Sequence, residues 1–128
     1  MPIGAHMSVA KGLNKAFDHA LSINADTMQI FTRNPRGGKA KALDLAEAEL
    51  FRQRVREHDF GPWVAHAPYT VNLASAKDDV REFGVQTLKE DLRRVQVWGG
   101  NLLVVHSGAH TGAGREQGLA RLIESLKE

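Results

Sequence analysis

Two apolar runs in this sequence end in histidine. Trp63-Val64-Ala65-His66 is one, and Leu102-Leu103-Val104-Val105-His106 is the other. Each leads into a loop of small residues and then into helical periodicity. Neutral imidazole is a favoured zinc ligand, and residues at the C-terminal ends of parallel strands lie where such sheets place their chemistry. His66 and His106 therefore read as candidate metal ligands. The plainer alternative is that each caps its strand and hydrogen-bonds a loop. Catalytic zinc usually takes three protein ligands, commonly with a carboxylate among them. None of the first four strands ends in Asp or Glu, so the donor set is one short. The chain has no cysteine, which excludes disulfides and thiolate sites and leaves imidazole and carboxylate for any transition metal.

Other residues could read a ligand. His6 ends a third run, Ile3-Gly4-Ala5-His6, beside Ser8. It could orient a ligand, contact a phosphate or make a structural hydrogen bond. His110 could support a metal ligand from behind or sit solvated in its loop. His19 and His58 fall on helical stretches and read as surface residues. The loop from Arg33 to Lys41 holds Arg33, Arg36, Lys39 and Lys41 and no acid. Such cations neutralise backbone phosphates, although a charge run is also commonly just solvated. Tyr69, the only tyrosine, follows His66 by three residues. It could stack on bases or anchor its loop through the hydroxyl.

The elements that must position these residues alternate strand with helix. Strands are expected at Ile3–His6, Thr27–Thr32, Trp63–His66 and Leu102–His106. A helix from Leu13 to about Asn24 carries Leu13, Ala16, Phe17, Ala20 and Leu21 on one stripe. A second, capped by Asp44 with Glu47 as its capping-box partner, runs to about His58 with Ala46, Leu50, Phe51 and Val55 inward. A third, capped by Ser75, extends to about Trp98 on a stripe of Val80, Phe83, Leu88, Leu92, Val95 and Trp98. Gly99-Gly100 end it. A fourth carries Leu119, Leu122, Ile123 and Leu126.

Four βα units with apolar strands imply an α/β fold with a parallel sheet. A doubly wound open sheet competes with a TIM barrel, but no strand leads into G-x-G-x-x-G or G-x-x-x-x-G-K. A barrel puts its functional residues where His6, His66 and His106 are expected. A full barrel needs about 250 residues, and 128 make half of one.

The balance of 17 basic and 15 acidic residues gives a formal charge of +2, weak evidence for a nucleic-acid partner without local clustering. No apolar run approaches a membrane span and no signal pattern opens the chain, so a cytoplasmic location is expected.

Four stretches, in order and at matching spacing, resemble the successive motifs of the endonuclease IV family. They are Ile3-Gly4-Ala5-His6-Met7-Ser8, Phe31-Thr32-Arg33-Asn34-Pro35-Arg36, His66-Ala67-Pro68-Tyr69-Thr70-Val71-Asn72-Leu73 and Val105-His106-Ser107-Gly108-Ala109-His110. The resemblance runs the length of the chain. It implies a TIM-barrel, zinc-dependent apurinic/apyrimidinic endonuclease of base excision repair, acting on double-stranded DNA 5′ to abasic sites through a trinuclear zinc cluster. His66 and His106 match two ligands of one zinc, whose third ligand in the family is a glutamate ending strand five. Tyr69 and Arg36 match residues of loops that enter the minor groove. Arg33, Asn34, His6 and Ser8 match the same DNA-facing region. Ser107 replaces the family's usual proline and Thr70 its usual leucine.

Residues 1–128 are thus expected to form a single N-terminal half-barrel segment with at most one partial zinc site, no complete catalytic set, and open strand edges that favour self-association or pairing with the missing half. Two other readings stand beside this one. One is a sugar isomerase or epimerase of the same barrel superfamily that uses strand-end metal. The other is a non-catalytic DNA-binding half-domain.

Overall fold

The computed structural model describes residues 1–128. Its elements alternate throughout: β1 (Gly4–Met7), α1 (Leu13–Ser22), β2 (Thr27–Phe31), α2 (Leu45–Glu57), β3 (Val64–His66), α3 (Asp78–Val97), β4 (Leu103–Val104) and α4 (Arg115–Ser125). The strands form one parallel sheet in sequence order. Alternating βα units with neighbouring parallel strands are half of a TIM barrel, as expected. No helix is long and apolar enough to cross a membrane.

One face of the sheet and the helices behind it make the main core. Met7, Met28, Ile30 and Ala65 pack there against Phe17 of α1 and Phe51 of α2. Phe17 meets Phe51 and Phe60 edge-on, and Phe51 meets Trp63 the same way. A smaller cluster of Val71, Leu73 and Val85 underlies the loop after β3, with Leu122 of α4 packed on it.

Several helix details differ from the periodicity. In α2, Ala48 and Phe51 are buried, while Ala46 and Leu50 are exposed. Asp44 caps α2 as expected, its carboxylate accepting from the Glu47 N–H at 2.9 Å. The reciprocal half of the capping box is absent. Glu47 instead accepts from the Leu13 N–H at 2.6 Å and so caps α1, whose own N-cap, Gly12, offers no side chain. Helix α3 starts at Asp78, not beside Ser75; the Ser75 hydroxyl accepts from the Lys77 N–H in the turn before it. Its buried residues are Gly84, Val85, Thr87, Asp91 and Val95, followed by Trp98 just past its end, with Phe83 and Leu92 outside. Asp91 takes an inward position because a buried arginine meets it there. On α4, Leu119, Ile123 and Leu126 are exposed, and Gly118 and Ser125 are the buried residues.

Candidate functional site

The C-terminal ends of the strands gather an aromatic and imidazole cluster. His66 pairs in register with Val104, so His106 lies two residues past its strand partner, at the start of the β4–α4 loop. The two imidazole centres are 5.1 Å apart. His66 is buried and His106 exposed. Nδ1 of His66 lies 2.6 Å from the Ala67 carbonyl. A carbonyl only accepts, so Nδ1 carries the proton and Nε2 is the ring atom left to offer a lone pair to a metal. Histidine ligands of metals are usually held this way. Two imidazoles on one tetrahedral zinc, each bonded at about 2.0–2.1 Å, have ring centres roughly 5 Å apart. The spacing and donor type therefore fit two ligands of one zinc. No three His, Asp or Glu side chains in the 128 residues are placed to hold a metal ion together, so the fit is to part of a zinc site.

His6 stands 6.5 Å from His66, ring to ring, and packs on Phe31 at 4.5 Å. Its Nδ1 is 2.9 Å from the Gln29 amide nitrogen, which donates to it. Burial first, and the charge of His66 second, hold its pKa below the usual histidine value, so it is neutral at pH 7. It lies in a small cleft with Ser8, Asn34 and Pro35. Ser8 is exposed, and its hydroxyl accepts from the Ala10 N–H at 3.3 Å.

The loops after β2 and β3 are joined. The Tyr69 N–H donates to the Pro35 carbonyl at 3.0 Å, which sets Arg36 and Tyr69 on adjoining loops. Tyr69 is 62% exposed and stands edge-on to Phe31 and His66, at 5.2 and 5.8 Å. Its ring is held from below and open above, the arrangement a stacking platform needs. Asn34 caps the turn by accepting from the Arg36 N–H at 3.0 Å. Arg36 is exposed and has no ion pair.

Arg33 requires a correction. It was expected among the DNA-facing cations, yet its side chain is buried. Nη2 and Nε donate to Asp91 Oδ1 at 2.6 and 2.9 Å, Nη2 reaches Glu90 at 3.1 Å, and Nη1 donates to the Gly38 carbonyl. Burial alone would depress its pKa, but Asp91, with help from Glu90, raises it above the usual arginine value. A guanidinium neutralised in this way tethers the β2–α2 loop to α3 and is not free for a phosphate. The basic loop is therefore Arg36, Lys39 and Lys41. His110 also differs from a metal-supporting role. Its Nδ1 accepts from the Gly112 and Gly114 amides at 3.2 and 3.3 Å, and it makes no hydrogen bond to His66 or His106. It organises the β4–α4 loop.

Residues 17–128 match the xylose isomerase-like TIM barrel family. The chain belongs to that family. Within these barrels its likeness is to endonuclease IV. The probable endonuclease 4 of Heliobacterium modesticaldum is 48% identical over 131 residues, covering 100% of this chain and 46% of the relative. That of Akkermansia muciniphila is 46% identical over 126 residues, covering 98% and 46%. The crystal structure of endonuclease IV from Thermus thermophilus superposes with a TM-score of 0.82 at 33% identity, over 99% of this chain and 46% of that one. The chain spans about half the length of the curated relatives it matches.

The sequence pattern missed Asn72 and Asp91. Asn72 entered only as a member of the stretch His66 to Leu73, and Asp91 carried no expectation at all. The one available signal for Asp91 was its place on the stripe Gly84-Thr87-Asp91-Val95, which has helical spacing but only one large apolar member.

Proposed function

We propose that this chain supplies two zinc ligands and part of the DNA-reading surface of a repair endonuclease that hydrolyses the phosphodiester 5′ to an abasic site in duplex DNA. The pairing of His66 with His106 carries the proposal: two imidazoles 5.1 Å apart, one oriented by the Ala67 carbonyl, at the strand-end face of a parallel sheet. The likeness to proteins named endonuclease 4 supports the same reading.

The residues divide the work. His66 and His106 would hold one zinc, with a third ligand from outside the 128 residues. Bound zinc supplies an acidified water and a positive centre for the phosphate. Tyr69 presents an open ring to an unstacked base step, and Arg36 a free guanidinium to the backbone or groove. Asn34 fixes the turn that aims Arg36. His6 and Ser8, neutral and polar, line the floor beside the metal pair, where they can donate to or accept from the DNA backbone. A small sugar would leave the exposed Tyr69 and Arg36 without a role.

The test is zinc affinity of the 128-residue chain by competition with a chromophoric chelator. One zinc per chain is expected, with affinity lost in both His66→Ala and His106→Ala. Equal affinity in the wild type and both variants would sink the metal assignment. The isolated chain is expected to bind duplex without cutting it, because its donor set is incomplete. Metal-dependent incision of an abasic-site duplex by this chain alone would overturn that expectation.

A further inference from the structure

The loops after β1 and β2 enclose a second cleft beside the histidine cluster. It holds about 680 Å3 between the start of α1, the β2–α2 loop and the last turn of α3. Val9, Ala10, Arg33 and Asn34 line both this cleft and the smaller one containing His6 and Ser8, so the two form a continuous groove. Lys11, Lys39, Lys41 and Arg94 line the larger cleft, and none of them has an ion pair. The acids on its wall are already engaged. Asp44 accepts from the Glu47 N–H and Glu47 from the Leu13 N–H.

Arg94 adds a more specific signal than the lysines. Its Nη2 donates to the Lys41 carbonyl at 2.7 Å, and its guanidinium lies 5.5 Å from the centre of the Trp98 ring. Its Nε is buried without a hydrogen-bond partner. Buried donors are nearly always satisfied, so a lone one marks a place for an acceptor. Burial first, then the charge of Arg33, hold the Arg94 pKa below the usual arginine value. An anion at this position would relieve both. The first turn of α1, at Gly12 and Leu13, borders the same space, but the Glu47 carboxylate already caps it, so the anion's donors are the side chains of Arg94, Lys39 and Lys41.

We propose that this cleft binds a phosphate group, with Arg94 and the Lys39–Lys41 segment as its donors. On nucleic acid it would hold a backbone phosphate beyond the stretch faced by His6 and Ser8, because the two clefts share Val9, Ala10, Arg33 and Asn34. This second statement rests on the DNA reading above, and the first does not.

The test is a 1H–15N NMR titration of the 128-residue chain at constant ionic strength, first with inorganic phosphate and then with a short undamaged duplex. Phosphate is expected to shift the amides of Gly12, Leu13, Lys39 and Lys41 together and to saturation, whereas chloride at equal ionic strength should not. The double variant Lys39→Ala/Lys41→Ala should lose that response, and Lys15→Ala/Lys127→Ala should keep it. With the duplex, the first double variant should lower the slope of log K against log salt by up to about 2, while the second leaves it unchanged. Arg94→Lys keeps the charge but removes Nε, so it should weaken phosphate binding in a chain whose spectrum remains folded. No saturable shift with either ligand, equal losses in the two double variants, or unchanged binding by Arg94→Lys would overturn the proposal. Saturation by phosphate without response to duplex supports the phosphate site and assigns it to a free oxyanion. Zinc enters neither titration, so failure of the metal reading leaves this result interpretable.

Discussion

The side-chain amide of Asn72 holds the backbone of Ala109 from both sides. Its Oδ1 accepts from the Ala109 N–H at 3.0 Å, and its Nδ2 donates to the Ala109 carbonyl at 3.0 Å. Oδ1 also accepts from the Ala74 N–H at 3.2 Å. These bonds join the β3–α3 loop, which carries Tyr69, to the β4–α4 loop, which carries His106. The Ala76 N–H adds a bond to the Thr111 hydroxyl at 2.8 Å. Gly108, with φ of +89°, lies so close that a Cβ would collide with the Asn72 side chain. The two functional loops are therefore one mechanical unit.

Asn72→Ala should loosen both loops together. Three hydrogen bonds are lost, partly replaced by water, so the expected destabilisation is about 1–2 kcal/mol. Urea denaturation reads the total, and amide hydrogen exchange locates it. Ala74 and Ala109 should lose protection in parallel. Protection retained at Ala109 would show that the loops are held by something else.

Arg33 and Asp91 give a larger effect. Asp91 is fully buried, and it accepts from Arg33 twice and from the Thr32 hydroxyl at 2.7 Å. Asp91→Ala leaves a buried guanidinium without its counter-charge and should cost about 3–5 kcal/mol. Replacing both partners, as Arg33→Met with Asp91→Leu, should cost much less than the single change. The Arg33 pKa is raised above the usual arginine value. Its share of stability is thus fully present below that usual value and lost only as pH rises through the still higher folded one. Denaturation midpoints between about pH 6 and 9 should show no arginine-side change in the pair.

The strand-helix alternation was legible because each strand is a short β-rich or apolar run and each helix opens after a turn signal. The end of β3 at His66 followed directly, whereas β4 stops at Val104 and leaves His106 two residues past it, in the loop. The inward faces of α3 and α4 were not legible from hydrophobicity. Helix α3 buries Gly84, Thr87 and Asp91 because it packs closely on the loop after β3 and answers a charged partner, and both requirements favour small or polar residues. Arg33 was misassigned for the same reason: sequence shows a cation in a basic loop, but its partner lies 58 residues away on a helix. The role of Asn72 depends on a contact 37 residues distant and leaves no local pattern.

Asp18 should give the chain a modest acid sensitivity. Its carboxylate accepts from Arg54 at 2.6 Å, and that hydrogen bond is the main reason its pKa lies below the usual aspartate value. Its side chain is 39% exposed, so solvent screens the pair and its worth is about 0.2–1 kcal/mol. A lowered carboxylate pKa means the contribution is present above the usual aspartate value and fades as pH falls through the lower folded one. Asp18→Asn should therefore be slightly less stable than wild type at neutral pH and equal to it in strong acid. A gap that persists in strong acid would assign the effect to packing, since Arg54 also lies 4.7 Å over the Phe17 ring.

Tyr69 and Arg36 sit on loops joined by a single backbone hydrogen bond, yet they should act on DNA through different physics. Arg36 is an exposed, unpaired cation. If it meets a phosphate, Arg36→Ala weakens duplex binding and lowers the slope of log K against log salt by about 0.9. Tyr69 carries no charge. Its exposed ring, backed edge-on by Phe31 and His66, can contribute only by stacking or wedging. Tyr69→Ala should weaken binding by about 1–3 kcal/mol at any one salt concentration and leave the slope unchanged. Tyr69→Phe should retain most of the affinity, because the stacking face is kept and only the hydroxyl is removed. Fluorescence-anisotropy titrations over a range of salt separate the cases. A changed slope in Tyr69→Ala would mean that the loop moved and took Arg36 with it. A loss in Tyr69→Phe as large as in Tyr69→Ala would assign the residue's contribution to its hydroxyl and return it to the role of a loop anchor.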